Sequence, residues 1–148
     1  MSIRALTVDE EQFADRRILS LVKTEKNFEI ESERGESIMV RTAGRTVFIR
    51  LDEIEWIEAA ANYVKIFAGE EQYVVREKIS SIEQQLPAHR FVRVHRSLIA
   101  GIDHIRELQP CGNGEFVVVL RRAKELPLGR TYRAHVESTL KRVLSKAV

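Results

Sequence analysis

Hydrophobic and polar residues alternate with a period of two along most of the chain after Phe28, and this period predicts β-strands. Glycines at positions 44 and 69 and the CGNG stretch at 111–114 separate several of these segments, so hairpins are expected. The segments that we predict as strands are, in chain order, FEIESE, SIMVRT, RTVFIR, IEWIEA, NYVKIF, QYVVR, HIRELQ, EFVVVLR and KELPLGR.

Apolar residues recur at helical spacing in three places. Residues 7–24 open with a capping box and predict a helix that packs on the domain or on a second copy, or that is a linker helix of a longer protein. Residues 77–86 predict a short helix ending before Pro87, and residues 131–146 predict a basic amphipathic helix. Strands dominate between these helices, which favours an all-β core over a βαβ sheet.

The length of 148 residues and the apolar fraction of 44% fit one ordinary domain. We predict an N-terminal helix and linker over residues 1–30 and a single domain over residues 31–148. The formal net charge is only +2, but residues 1–58 carry 9 basic and 13 acidic side chains, whereas residues 59–148 carry 15 and 9. This segregation, including a basic cluster at 121–133, favours a phosphate-rich partner for the second part of the chain.

Catalytic and metal chemistry find little support in the sequence. Cys111 is the single cysteine, the four histidines lack zinc-ligand spacing, and no nucleotide-binding, metalloprotease or nucleophile-elbow motif occurs. We therefore expect no enzyme activity, no cofactor and no metal. No apolar run is long enough to span a bilayer, so a cytoplasmic protein without a membrane segment is expected. The acidic residues around IEWIE are explained by strand alternation, which predicts that Glu53 and Glu55 are exposed.

Three segments combine charged and hydrogen-bonding side chains of the kind that contacts phosphates and base edges. Structural explanations also exist for some of these residues: a solvated arginine at position 96, a turn-forming asparagine at 62, and core or half-core positions for Trp56 and Tyr63. The candidates for nucleic-acid binding are Asn62, Tyr63 and Lys65 in the first segment, Arg93, His95, Arg96 and Ser97 in the second, and Arg130, Thr131 and Arg133 after Gly129 in the third.

The same three segments resemble the LytTR family of bacterial DNA-binding domains. RFVRVHRSLIAGIDHIREL is similar to the family's strand followed by a histidine, a polar residue and a serine, LDEIEWIEAAANYVKIF to its Asn-Tyr-Val element, and ELPLGRTYRAHV to its closing segment. The resemblance covers about residues 37–138. It implies an elongated, mainly β domain of about ten strands in small antiparallel sheets, with loops that enter successive major grooves of DNA.

The resemblance also implies roles for the candidates. Base-contacting side chains would come from Asn62–Lys65, Arg96 and Arg130, whereas Arg93, Ser97 and Arg133 would lie nearer to phosphates. His95 and Arg96 would form a rigid tip, with Phe91 and Val94 anchoring one side of it and Leu98 and Ile99 the other. Two departures stand out. Gly129 replaces a frequent serine, so a phosphate hydrogen bond is lost or passes to a backbone amide, and Gly101 replaces an asparagine, which leaves the next strand less fixed.

We therefore expect a response-regulator-like, sequence-specific regulator of transcription that binds double-stranded DNA, as a homodimer at least on DNA with repeated half-sites. Family members commonly carry an upstream receiver domain, and 148 residues leave no room for one. The alternative is a protein-interaction or signal-sensing module that keeps the fold without binding DNA. The basic cluster at 121–133 favours the DNA-binding hypothesis, because a lost site has no reason to stay charged.

Overall fold

A computed structural model describes residues 28–31 and 37–146, and that part of the chain forms three antiparallel sheets and two α-helices. The helices are α1 Ile79–Gln85 and α2 Arg133–Lys146. The strands are β1 Phe28–Glu31, β2 Ser37–Thr42, β3 Arg45–Arg50, β4 Ile54–Ala60, β5 Tyr63–Ala68, β6 Glu71–Val75, β7 Phe91–His95, β8 Leu98–Gly101, β9 Ile105–Pro110, β10 Phe116–Leu120 and β11 Glu125–Leu128.

The sheet orders are β1-β2-β3, β6-β5-β4-β8-β7 and β11-β10-β9. The mainly β fold, the inserted helix and the C-terminal helix are thus confirmed, with eleven strands in the described residues. The strand β8 was not predicted. Its sequence LIAG is apolar throughout because both faces of the strand are buried, and its two edges pair with β4 and β7. The helix predicted over residues 7–24 lies outside the described residues.

The five-stranded sheet separates two hydrophobic cores, and period-two alternation decides which core each side chain enters. One core lies between this sheet, the first sheet and α1, and contains Ile57 and Ile99. The other lies between the opposite face, the third sheet and α2, and contains Trp56 and Val94. Of the helices in the described residues, none is long and apolar enough to cross a membrane.

The expectation that Glu55 is exposed is wrong. Glu55 is 6% exposed, and its carboxylate lies 3.5 Å from Nε of Arg122. The β4–β5 register shifts between Ile54 and Trp56, which places Glu55 at an irregularity where simple alternation fails. Glu53 is exposed as predicted.

Gly101 fixes the end of β8 rather than loosening it. A Cβ atom at this position would lie 2.5 Å from the carbonyl oxygen of Ile54, so β4 and β8 approach too closely for a side chain. The amide of the following residue, Ile102, donates to the carbonyl of Arg90 at 2.9 Å. Close backbone packing thus holds the chain at Gly101, and the looser start of the following strand stays a prediction.

Candidate nucleic-acid interface

The three candidate segments meet at one end of the five-stranded sheet. The β4–β5 turn and the β7–β8 turn lie side by side there, since the amide of Ala59 donates to the carbonyl of Ser97 at 2.9 Å. The loop after β11 joins them, because the amide of Gly129 donates to the carbonyl of Val94 at 2.8 Å. Residues far apart in the sequence thus form a single surface, which we call the three-turn surface: residues 61–65, 93–97 and 129–133.

The β4–β5 turn presents Asn62 to solvent between two paired strands. The preceding Ala61 has a φ of 49°, a left-handed conformation that non-glycine residues rarely adopt. Tyr63 and Lys65 follow on β5 and are half-buried, and Lys65 is paired in register with Glu58 of β4. Of these three candidates, Asn62 is the one that projects fully from the sheet.

Arg93 braces the β7–β8 turn from within. Its side chain is 12% exposed and forms an ion pair with Glu83 of α1. The same guanidinium donates to two backbone carbonyls of the turn, from Nε to His95 at 3.0 Å and from Nη2 to Arg96. It also lies 5.8 Å from the ring centroid of Tyr132. A planar fork with several donors suits this role, which lysine could not fill.

His95 adds a second brace to the same turn. The backbone N–H of Ser97 donates to Nδ1 of His95 at 3.1 Å, and the Ser97 hydroxyl lies 3.2 Å from that nitrogen. Because Nδ1 accepts a hydrogen bond, the neutral ring carries its proton on Nε2. Both side chains are half-buried, so the ring serves first to hold the turn.

Arg96 occupies the tip that these contacts hold. Its side chain is exposed, and it has no ion-pair partner within the part of the chain that the structure describes. Phe91 and Val94 are buried on β7, and Leu98 and Ile99 are buried on β8. The prediction of a tip anchored on both sides is therefore confirmed. A fixed backbone with a free guanidinium is the arrangement that bidentate recognition needs.

Gly129 lets the third segment pack directly against this tip. A Cβ atom there would lie 3.1 Å from Cδ2 of Tyr132 and 3.7 Å from Cα of His95. Its own amide is donated to Val94 and is not available to a phosphate, so a backbone amide that takes the place of the serine hydroxyl has to come from a neighbouring residue. The glycine serves close packing between segments.

Arg130 and Thr131 are exposed beyond Gly129. The Arg130 guanidinium lies 3.6 Å from the Glu115 carboxylate in a pair whose side chains are 72% and 57% exposed. Such surface pairs contribute roughly 0–1 kcal/mol, so a stronger anionic or base partner can displace Glu115.

Arg133 begins α2 and is held on two sides. Its guanidinium carbon lies 3.8 Å from the ring centroid of Phe116, and its Nε donates to Glu137 at 3.3 Å. The side chain remains 42% exposed, so one face of the guanidinium can meet a ligand.

The basic cluster at 121–133 does not form one patch. Arg121, Arg122 and Lys124 lie before β11, whereas Arg130 and Arg133 lie after it, roughly 13 Å away at the rise of a strand. The first group is engaged locally, for example by Nζ of Lys124 at 5.0 Å from the ring centroid of Trp56. Charge density along the sequence therefore overstated the size of this part of the surface.

Arg76 also lies at this end of the sheet, and it was not among the predicted candidates. It is exposed and directly follows β6, whose Val75 pairs in register with Val64 of β5 beside the β4–β5 turn. The signal was a basic residue at the end of the predicted strand QYVVR, but strand order was needed to place it. Within the described residues, no group of three or more histidine, cysteine, aspartate or glutamate residues could hold a metal ion, and Cys111 is exposed.

Comparison with known sequences gives matches over most of the described chain. The sensory transduction protein LytT of Bacillus anthracis is 30% identical over 95 residues, covering 64% of this chain and 39% of the relative. LytT of Bacillus subtilis is 26% identical over 121 residues, covering 81% and 48%. The transcriptional regulatory protein YpdB of Escherichia coli K12 is 27% identical over 88 residues, covering 59% and 36%. The chain thus spans less than half the length of each of these relatives.

A solved LytTr DNA-binding domain from Bacillus cereus has the same fold, with a TM-score of 0.64 at 20% identity over 71% of this chain and 96% of that one. The family described as the LytTr DNA-binding domain matches residues 44–141, which include the whole three-turn surface. On this match, and on the fold that carries it, the chain belongs to the LytTr DNA-binding domain family.

Proposed function

We propose that this chain is a sequence-specific regulator of transcription that reads the major groove of double-stranded DNA with the three-turn surface. The observation that carries the proposal is the meeting of three separate segments at one end of a rigid sheet, with Arg96 and Arg130 exposed on it. The major groove of DNA is about 12 Å wide and admits a two-stranded β-ribbon, so turns that join pairs of strands can enter it. The proposal contains no catalytic step.

Each exposed side chain has a chemical role in this proposal. Arg96 and Arg130 chelate O6 and N7 of guanines, and Asn62 contacts a base from the β4–β5 turn. Lys65 supplies positive charge behind that turn, and Tyr63 supports it. Each good bidentate contact contributes about 1–3 kcal/mol of base discrimination.

The phosphate contacts come from the edges of the surface. Ser97 and Thr131 offer hydroxyl donors, and Arg133 offers the exposed face of its guanidinium. Arg93 is assigned a different role: its donors are engaged by Glu83 and by the turn carbonyls, so we propose that Arg93 and His95 hold Arg96 in position.

We propose that two copies bind repeated half-sites. Three short turns contact few base pairs, and one such surface gives limited affinity and specificity. A second copy on an adjacent half-site multiplies the contacts through effective concentration. Regular spacing of half-sites in selected sequences tests this directly.

The experiment is selection of the purified protein on a randomised duplex pool, followed by affinity measurements on the enriched site at several salt concentrations. We expect a repeated motif and a log affinity that falls steeply with log salt. Arg96→Ala should relax specificity at one base pair. Arg133→Ala should weaken binding to all sequences alike and flatten the salt slope by about one unit.

Arg106→Ala provides the matched control, because Arg106 is an exposed arginine near the start of β9, at the end of the third sheet away from Gly129. It should leave both specificity and salt slope unchanged. A pool that enriches no motif would contradict the proposal and favour a protein-interaction module on the same fold.

A further inference from the structure

The β9–β10 turn, residues 111–115, lies at the same end of the molecule as the loop after β11. Phe116 at the start of β10 pairs in register with Leu128 at the end of β11. The residues just before Phe116 therefore lie beside Gly129 and Arg130, which belong to the three-turn surface. A further turn is thus available at the edge of that surface.

The backbone of this turn holds Glu115 in a defined position. The amide of Glu115 donates to the carbonyl of Gly112 at 2.8 Å, and the amide of Cys111 donates to the carbonyl of Glu115 at 2.9 Å. The two residues between Gly112 and Glu115 are Asn113 and Gly114, with φ of 52° and 73°. Two successive positive φ values are typical of the type I′ turn, which suits a β-hairpin. A closed turn therefore carries the Glu115 side chain.

The end of this hairpin contacts both arginines of the third segment. The Glu115 carboxylate lies 3.6 Å from Nη2 of Arg130. The next residue, Phe116, has its ring centroid 3.8 Å from the guanidinium carbon of Arg133. The hairpin end and the third segment thus form one unit, in which a carboxylate stands beside an arginine that we assign to a base.

The pair of Glu115 and Arg130 is open to a ligand. Its side chains are 57% and 72% exposed, so the ion pair contributes little to stability and both partners are free to form other contacts. Phosphates repel a carboxylate at a DNA-binding surface, so Glu115 weakens DNA binding unless it accepts a hydrogen bond from a base. Cytosine is the base whose major-groove edge offers a donor, N4, without an acceptor, and glutamate pairs with it.

The spacing of the two side chains fits two neighbouring base pairs. Successive bases of one strand are about 3.4 Å apart along the helix axis. The Glu115 carboxylate and Nη2 of Arg130 are 3.6 Å apart, so one side chain can face one base pair while the other faces the next. The acceptor and the donor would then read different bases without moving far from each other.

We propose that Glu115 accepts a hydrogen bond from N4 of a cytosine in the base pair next to the guanine that Arg130 contacts. The inference rests on the proposed function and adds a specificity-determining residue from outside the three-turn surface. The acidic charge lowers affinity for DNA in general and raises the preference for one base.

The test is selection on a randomised duplex pool with the unchanged chain, Arg130→Ala and Glu115→Ala in parallel. Arg130→Ala should lose the preference for guanine at one base pair. Glu115→Ala should lose the preference for cytosine at the neighbouring base pair, by about fivefold or more in competition binding. Its affinity for unrelated DNA should rise about twofold, because a negative charge is removed.

Two further variants sharpen the result. The amide of Glu115→Gln both donates and accepts, as adenine recognition requires, so this variant should accept adenine in place of cytosine. Glu125→Ala is the matched control, because Glu125 is an exposed carboxylate at the start of β11, at the other end of the third sheet. It should leave the selected motif unchanged.

Three results would overturn the cytosine contact. If Glu115→Ala binds every sequence more tightly with the same motif, the carboxylate only repels phosphates. If it loses the preference at the base pair of Arg130, Glu115 only positions that arginine. If the unchanged chain enriches no motif, the proposed function fails and the contact fails with it, whereas either of the first two results leaves the proposed function standing.

Discussion

The β4–β5 turn and the β7–β8 turn lie side by side at one end of the same sheet, but their backbones are held in different ways. Ala61 in the first turn has a φ of 49°, and the exposed Asn62 follows it without a side-chain brace among the described residues. In the second turn, neither Arg96 nor Ser97 has positive φ, and side chains of Arg93 and His95 hold the backbone through three hydrogen bonds.

The difference shows two ways of presenting a polar side chain. The first turn is short and relies on strand pairing to impose an unfavourable backbone conformation on an alanine. The second uses an unstrained backbone and assigns two neighbouring side chains to fixing it. A tip fixed before binding loses less conformational entropy on DNA, so we expect the second turn to contribute more to specificity.

Removal of the Arg93 brace should have the largest effect on the difference between the two turns. Arg93→Leu takes away the ion pair with Glu83 and the donors to the carbonyls of His95 and Arg96. We expect the free energy of unfolding to fall by about 2–3 kcal/mol, since hydrogen bonds to a charged group are lost and carbonyls are left without donors. Urea unfolding followed by circular dichroism measures this.

Arg93→Lys separates charge from geometry. Lysine keeps a positive charge for Glu83 but cannot donate to both carbonyls, so about half of the lost stability should return. Full recovery with lysine would show that the ion pair, and not the fork, holds the turn.

Arg96→Lys tests whether the braced tip reads a base through a fork. The charge is kept, so the salt slope should stay the same, but the bidentate contact is lost and discrimination at one base pair should fall by about 1–2 kcal/mol. Stability should be unchanged because the side chain is exposed. Competition binding with single-base variants of the selected site measures the effect, and a changed salt slope with intact specificity would instead make Arg96 a phosphate contact.

The two turns should respond oppositely to glycine. Ala61→Gly relieves a left-handed alanine and should raise the free energy of unfolding by about 1 kcal/mol. Arg96→Gly removes no left-handed backbone strain. It should lower the free energy of unfolding by about 0.5–1 kcal/mol, because glycine gives the unfolded chain more conformational freedom. Thermal unfolding of both variants measures the contrast, and a further control is Ala43→Gly, which should behave like Ala61→Gly because Ala43 also has a φ of 49°.

Much of this arrangement was predictable from the sequence because it depends on local signals. Alternating or β-branched residues marked nine of the strands or their cores, and glycines marked the β2–β3, β5–β6 and β9–β10 turns. The resemblance selected the three segments, and the structure then placed them at one end of a sheet. The division at residue 30 and the individual DNA contacts stay predictions.

The remainder depends on contacts between segments that are distant in the sequence. The brace from Arg93 requires α1 to bring Glu83 to β7, and the role of Gly129 requires the loop after β11 to lie against His95. The burial of Glu55 requires Arg122 from the β10–β11 turn. Periodicity describes one strand at a time, so none of these contacts could be predicted from it.

The smallest expected effect is that of Ser97→Ala, which tests whether Ser97 holds the tip of the β7–β8 turn or contacts DNA. In Ser97→Ala the hydroxyl 3.2 Å from Nδ1 of His95 is lost, but the backbone N–H of residue 97 still donates to that nitrogen. The free energy of unfolding should therefore change by less than about 0.5 kcal/mol. If the hydroxyl donates to a phosphate as we propose, affinity should fall about threefold for every DNA sequence, with the salt slope unchanged because no charge is removed. Fluorescence anisotropy on matched and mismatched sites measures this. A loss confined to the selected site would assign Ser97 to a base, and an unchanged affinity would leave its hydroxyl as a minor part of the His95 brace.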